Sequence, residues 1–545
     1  MTLLLHGHIY TGDPASPWAQ ALAVRQARLV AVGSDREVLA HRSGHARVID
    51  LKGRTVLPGF IDSHTHMLFG ALELHGFNLS EPDHSLTPDH PDAFSAMVKA
   101  YADAHPDEKW IIGRADFNTT PPDVPTRALL DAAVPDRPVI IHNMSEHALL
   151  VNSQALALAG ITDEPVPDPE EERGVIRDAS GHPSGLLLEA AQEIMERAAL
   201  PQIPVEQLLS ELREAQNYLN RLGITSVVNA TGDLKEIALY ATLRDRGLMT
   251  VRTRTAFGAV AVPHRLTPQL LADLEEARIR YHDEWVSANL VKFFADGSTG
   301  LIPPLVYRPA DYRALVLELD RRGFQLMTHA ERGDSVHMIL DAYENAIRVN
   351  GPRDRRLRIE HNFVVTAADL PRYARLQVIA SAQPLFCCTD IGTGFDSKDD
   401  TVSDRWRAFI DSGATLVFGS DWPCSWPPDP LVNIQQAVTR QIWRSEDTAD
   451  ILGLPIDGAH QGGSVPTGQI YHPEERVTVR EAIDAYTRHA AYASFQDSIG
   501  TLTAGKLADL VVLSEDPFSV DPGQIARIRP TLTMVGGKVV YGAAP

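Results

Sequence analysis

Eight short apolar segments alternate with helical patterns, β-type segments cluster at both ends, and ligand-type residues close several of the apolar segments. Together these predict an α/β protein: a (β/α)8 TIM barrel, with a small β-sandwich domain built from both termini and an insertion after the first barrel strand. The expected bounds are 1–57 and 500–545 for the sandwich and 58–499 for the barrel, with the insertion at about 67–223.

The barrel strands are expected at 59–66, 224–230, 249–257, 290–297, 325–331, 358–363, 378–384 and 416–422. Eight is the strand number that closes such a barrel. Between the first two lie strand-like PVIIHN (138–143) and a helical pattern over about 205–222, which read as cover for one mouth. PDPEEERG (167–174), acidic with two prolines, is expected as an exposed loop. At the two ends, LLLHGHIYTG and ALAVRQARLVAVG resemble LADLVVLSEDP and TLTMVGGKVVYG in style. Neither end can bury a core alone, so they are expected to share one domain.

Apolar residues make up 44% of the 545 and charged residues 22%, ordinary values for a soluble globular protein. Fifty basic against 71 acidic side chains give a net charge of −21, which disfavours nucleic acid and anionic membranes as partners. Cys387, Cys388 and Cys424 form neither a disulfide framework nor a zinc knuckle, which fits a reducing cytosol. The N-terminal MTLLLHGHIYTGDP lacks a basic n-region and an A-x-A site. A cytoplasmic protein acting on a small-molecule substrate is expected, with a homodimer as the assembly to consider.

The sharpest chemical signal is Pro-Gly-Phe-Ile-Asp-Ser-His-Thr-His at 58–66. Side chains alternate along a strand, so His64 and His66 share a face, and the C-terminal ends of barrel strands are where active sites sit. Two imidazoles so placed can ligate one cation. Lys292 in LVKFF, His329 in QLMTHA, His361 in RIEH and Asp421 in VFGSDW close four further strands. Buried one by one, each would need its own polar partner; a common metal ion serves them all.

This pattern resembles the amidohydrolase superfamily, and more narrowly amidohydrolase family 3, the YtcJ-like metal-dependent hydrolases that include N-substituted formamide deformylases. VLPGFIDSHTH, Trp110-Ile-Ile-Gly-Arg114, His147 with Val151-Asn152-Ser153, and Gly181-His-Pro-Ser-Gly185 with Glu189 carry the likeness. VKFFADGS, RIEH, SAQP, FGSDWP and the segment from Ile499 to Leu513 extend it over nearly the whole chain. One departure stands out: where the branch shows His-Ala-x-Gly-Asp, this chain reads His329-Ala-Glu-Arg-Gly-Asp334, one residue longer.

The resemblance implies one or two divalent ions, Zn²⁺ foremost with Mn²⁺ or Fe²⁺ as substitutes. His64, His66 and Asp421 would hold one, His329 and His361 a second, and a carboxylated Lys292 would bridge them. Forming that carbamate requires a neutral amine, which apolar surroundings favour; the other reading of Lys292 is a buried lysine paired with Asp296 or another carboxylate. Asp421 would also shuttle the proton of the attacking water. His147 is a catalytic candidate as an oxyanion or substrate contact. Trp110, Arg114 and Glu189 are substrate-binding candidates, with core packing or a structural ion pair as their plainer roles. The implied reaction is hydrolysis of an amide or formamide C–N bond. Deamination of an aminated heterocycle by one metal, hydrolysis of a lactone, ester or carbamate, and an inactive scaffold are the alternatives.

Overall fold

In the computed structural model the described residues are 1–42, 44–74, 77–79, 91–115, 117, 119, 124–143, 147–199, 203–258, 266–297, 305–387, 403–443 and 470–543; Cys388 lies outside them. Eight parallel strands form one sheet in sequence order: Phe60–Thr65, Ile224–Asn229, Arg252–Gly258, Val286–Phe294, Gln325–Ala330, Arg358–His361, Ile379–Ala382 and Thr415–Phe418. The first and last meet through a parallel bridge between Thr65 and Trp422 and a 2.7 Å hydrogen bond from Asp421 N–H to the His64 carbonyl. The sheet is therefore a closed (β/α)8 barrel. Gly419 permits the seam, because a Cβ there would lie 2.5 Å from the His64 nitrogen.

These strands read as continuous apolar runs because both faces are covered. Inside, Val228, Ala230, Ala256, Leu290 and Met327 pack together below the strand ends. Outside, helices press an apolar stripe on the sheet: in Val205–Arg221, Leu208, Leu209, Leu212, Ala215 and Leu219 are buried at helical spacing. The third strand begins at Arg252, later than its apolar pattern suggests, and the fourth already at Val286.

Between the first two barrel strands, six further strands form a mixed sheet in the order Val175–Arg177, Pro183–Leu188, Ala148–Val151, Val139–Asn143, Ile111–Ala115 and Phe77–Leu79. Its alternation feeds two clusters, with Ile141 and Leu150 in one and Ile140 and Leu149 in the other. Residues 167–174 differ from the expected loop. Pro169–Gly174 is a short helix, held because Glu171 accepts from Arg197 (2.7 Å) and Glu172 from Arg177 (2.8 Å).

At the chain ends, Thr55–Pro58 pairs antiparallel with Leu510–Leu513, inside a six-stranded sheet that continues to Pro530–Val535 and Lys538–Gly542. A four-stranded sheet of Thr2–Leu5, Ala21–Arg25, Arg28–Gly33 and Arg47–Asp50 shares one buried cluster with it, from Leu4, Leu22 and Ile49 to Val56, Leu510 and Met534. Arg252 of the barrel reaches Asp509 through two hydrogen bonds of 2.6 and 3.1 Å, with both side chains 2% exposed. Arg252→Ala would strand that carboxylate in the interior, so a loss of about 3–5 kcal/mol is expected, read as a lower urea midpoint; an unchanged midpoint would refute the clamp. Among the described residues no helix is long and apolar enough to cross a membrane.

Candidate metal centre

The C-terminal ends of the barrel strands bring His64, His66, Lys292, His329, His361 and Asp421 together. Asp421 Oδ1 lies 3.4 Å from His64 Nε2 and 3.3 Å from His66 Nε2, and its Oδ2 is 3.9 Å from His361 Nδ1. Lys292 Nζ is 3.3 Å from His64 Nε2. The His329 and His361 rings are 4.4 Å apart, and the His64 and His361 rings 5.0 Å.

Four histidines of the site are oriented from behind. His64 Nδ1–H donates to Glu360 (2.6 Å), and Glu360 is itself held by Arg358 at 2.9 Å. His361 Nδ1 meets Gln383 Oε1 (2.9 Å), His66 Nδ1 meets Thr231 Oγ1 (2.8 Å), and His147 Nδ1 meets Glu189 Oε2 (2.7 Å). With Nδ1 so engaged, Nε2 carries the lone pair in His64 and His361, the arrangement metal-binding histidines adopt. Burial, reinforced by Lys292, lowers the His64 pKa to about 4; burial takes His361 to about 3 and holds His329 well below its usual value. Neutral imidazoles are what a cation requires.

The charges agree. Burial opposes ionisation of Asp421, but His64, His66 and His361 outweigh it and hold the carboxyl well below its usual range. Burial lowers Lys292 to about 8, and its Nζ sits 4.6 Å from the centre of the Phe294 ring. Asp296 instead receives the backbone N–H groups of Glu331 and Arg332 at 3.0–3.2 Å. Asp421 Oδ1 and His329 Nε2 are buried and make no hydrogen bond among the described residues. Buried polar atoms in that state at the strand ends fit a cation beside them.

The candidates from the insertion divide. His147 and Glu189 reach the site, with the His147 ring 5.4 Å from that of His329. Burial disfavours charge on His147, yet Glu189 and other carboxylates raise its pKa to about 9. Arg114 donates to Glu73 (2.8 Å) and to the Pro423 carbonyl, bracing the turn after Asp421. Trp110 packs with Ile140, Leu149 and Val151 in the core of the insertion.

Glu331, Glu360, Gln383 and Asp62 are site residues that the pattern of single strands did not mark. Asp62 ties the seam, accepting from the N–H groups of His64 (3.2 Å) and Ser420 (2.9 Å). One ligand-type atom each from His64, His361 and Asp421 lies within 4.8 Å of the others, and the same holds for His147, His329 and Glu331.

A closed parallel barrel with these ligand-type residues gathered at its strand ends has the make-up of a metal-dependent hydrolase. The chain belongs to the amidohydrolase family, whose sequence pattern matches residues 47–541. The protein LONG AFTER FAR-RED 3 of Arabidopsis thaliana is 30% identical, over 99% of this chain and 91% of its own. The N-substituted formamide deformylase of Arthrobacter pascens is 26% identical, over 99% and 98%. Among solved structures, an uncharacterized metal-dependent hydrolase from Pyrococcus horikoshii shares the fold, with a TM-score of 0.72 and 21% identity over 96% of this chain and 99% of that one.

Proposed function

We propose that the protein hydrolyses the C–N bond of a small amide or formamide at this centre, with His64, His66, His329, His361, Asp421 and a carboxylated Lys292 holding one or two zinc ions. The observation that carries the reading is the set of imidazoles, fixed at Nδ1 and aimed inward around Lys292 and the ionised Asp421. A divalent cation in such a site acidifies water and polarises a carbonyl. Asp421 takes the proton of the attacking water on one carboxylate oxygen and returns it to the leaving nitrogen. Glu360, through His64, keeps the first imidazole in the ligating tautomer.

The deformylase of Arthrobacter pascens, alike over nearly the full length of both chains, supports formamides as the first substrates to try. The placement of Lys292 beside His64 favours amide hydrolysis over single-metal deamination, which has no use for a bridge. The test combines elemental analysis with a hydrolysis screen over N-substituted formamides, N-acyl amino acids, lactones and aminated heterocycles. About one to two zinc-like ions per chain are expected, with turnover abolished by chelation and restored by Zn²⁺ or Mn²⁺. Full turnover by metal-free protein would overturn the reading; turnover of heterocycles alone would move it to deamination.

A further inference from the structure

We infer that His147, His329 and Glu331 hold a cation of their own, beside the one held by His64, His361 and Asp421, so that the lengthened loop after the fifth strand supplies a ligand. This rests on the metal-hydrolase reading above. One atom from each of the three lies within 4.8 Å of the others, with Glu331 Oε1 3.8 Å from His329 Nε2. Among the described residues His329 Nε2 is buried and makes no hydrogen bond, with Asp296 Oδ1 3.3 Å away, and Glu331 is only 7% exposed. Among the described residues no lysine or arginine pairs with Glu331. The Glu331 side chain instead faces the imidazoles of His329 and His147, and it favours the charged form of His147.

The surroundings are built to keep it there. Asp296 accepts the N–H groups of Glu331 (3.1 Å) and Arg332 (3.0 Å), which fixes the loop and the direction of the Glu331 side chain. Glu189 holds His147 Nδ1 at 2.7 Å, so Nε2 is the nitrogen that would ligate, giving up its proton as the metal binds. Glu189 in turn lies against Gly297, where a Cβ would come within 2.6 Å of Oε1, so the insertion is seated on the barrel just past Asp296. Two imidazoles and one carboxylate form a set that zinc accepts while leaving a position open for water or substrate. His147 is then a ligand brought by the insertion, and the second position exists only when the insertion is docked.

Holoprotein dialysed against zinc buffers of rising free concentration, then analysed for zinc per chain, tests this. Wild type should bind two zinc ions, while Glu331→Gln should keep the His64 cation and bind the second at least ten-fold more weakly. His147→Gln should weaken the same ion, and His64→Gln the other one. If Glu331→Gln does not fold by its melting curve, His147→Gln decides in its place. Zinc binding by Glu331→Gln identical to wild type, or a wild type that takes a single ion, overturns the inference while the hydrolase reading stands. A wild type that takes none overturns both.

Discussion

Replacing Lys292 with alanine is expected to strip metal from the centre and to remove nearly all hydrolysis. The loss should exceed the roughly 10–100-fold that follows removal of a supporting partner. Its amine lies 3.3 Å from His64 Nε2 and close over the Phe294 ring, where burial favours the neutral form that combines with carbon dioxide. Acetate or propionate supplied to Lys292→Ala should partly restore both metal and activity by standing in for the carbamate. Elemental analysis set beside a melting curve separates this from a plain ion-pair lysine. Unchanged metal with a lowered melting temperature would sink the bridge.

Asp421→Asn should lower kcat by about 10²–10⁴-fold, the range for loss of a positioned proton carrier, with a much smaller change in KM. The amide keeps the shape of the side chain, and the turn is held independently by Asp421 N–H on His64 and by Arg114 on the Pro423 carbonyl. Folding should therefore survive, as circular dichroism would show. A variant that keeps more than about a tenth of wild-type kcat would assign the proton to another group.

The barrel was legible because its strands are buried on both faces and so appear as unbroken apolar runs, each with a polar residue near its end. What escaped was whatever the period-two rule misplaces. Alternation sets Glu360 opposite His361, yet both reach the site, because His361 (φ 70°) and Asn362 (φ 60°) adopt left-handed backbone. Asp421 (φ 61°) turns inward in the same way, three residues beyond its strand. The longer loop at Glu331 was visible as a departure in length, but only the fold shows which side chain it turns towards the imidazoles. Among the strands of the insertion only PVIIHN stood out. Strands such as PSGLLL carry the proline and glycine that mask them.

The strand Thr55–Pro58 needs a neighbour that is made much later. About 450 residues separate it from Leu510–Leu513, so at ~5–20 residues per second the ribosome delivers that partner roughly 20–90 s later. Throughout that interval the first barrel strand is already present while the sheet edge beside it stands open to other chains. Synthesis thus passes through a long-lived, adhesive nascent state, and cells short of chaperones would be expected to yield this protein as aggregate before they yield it as enzyme.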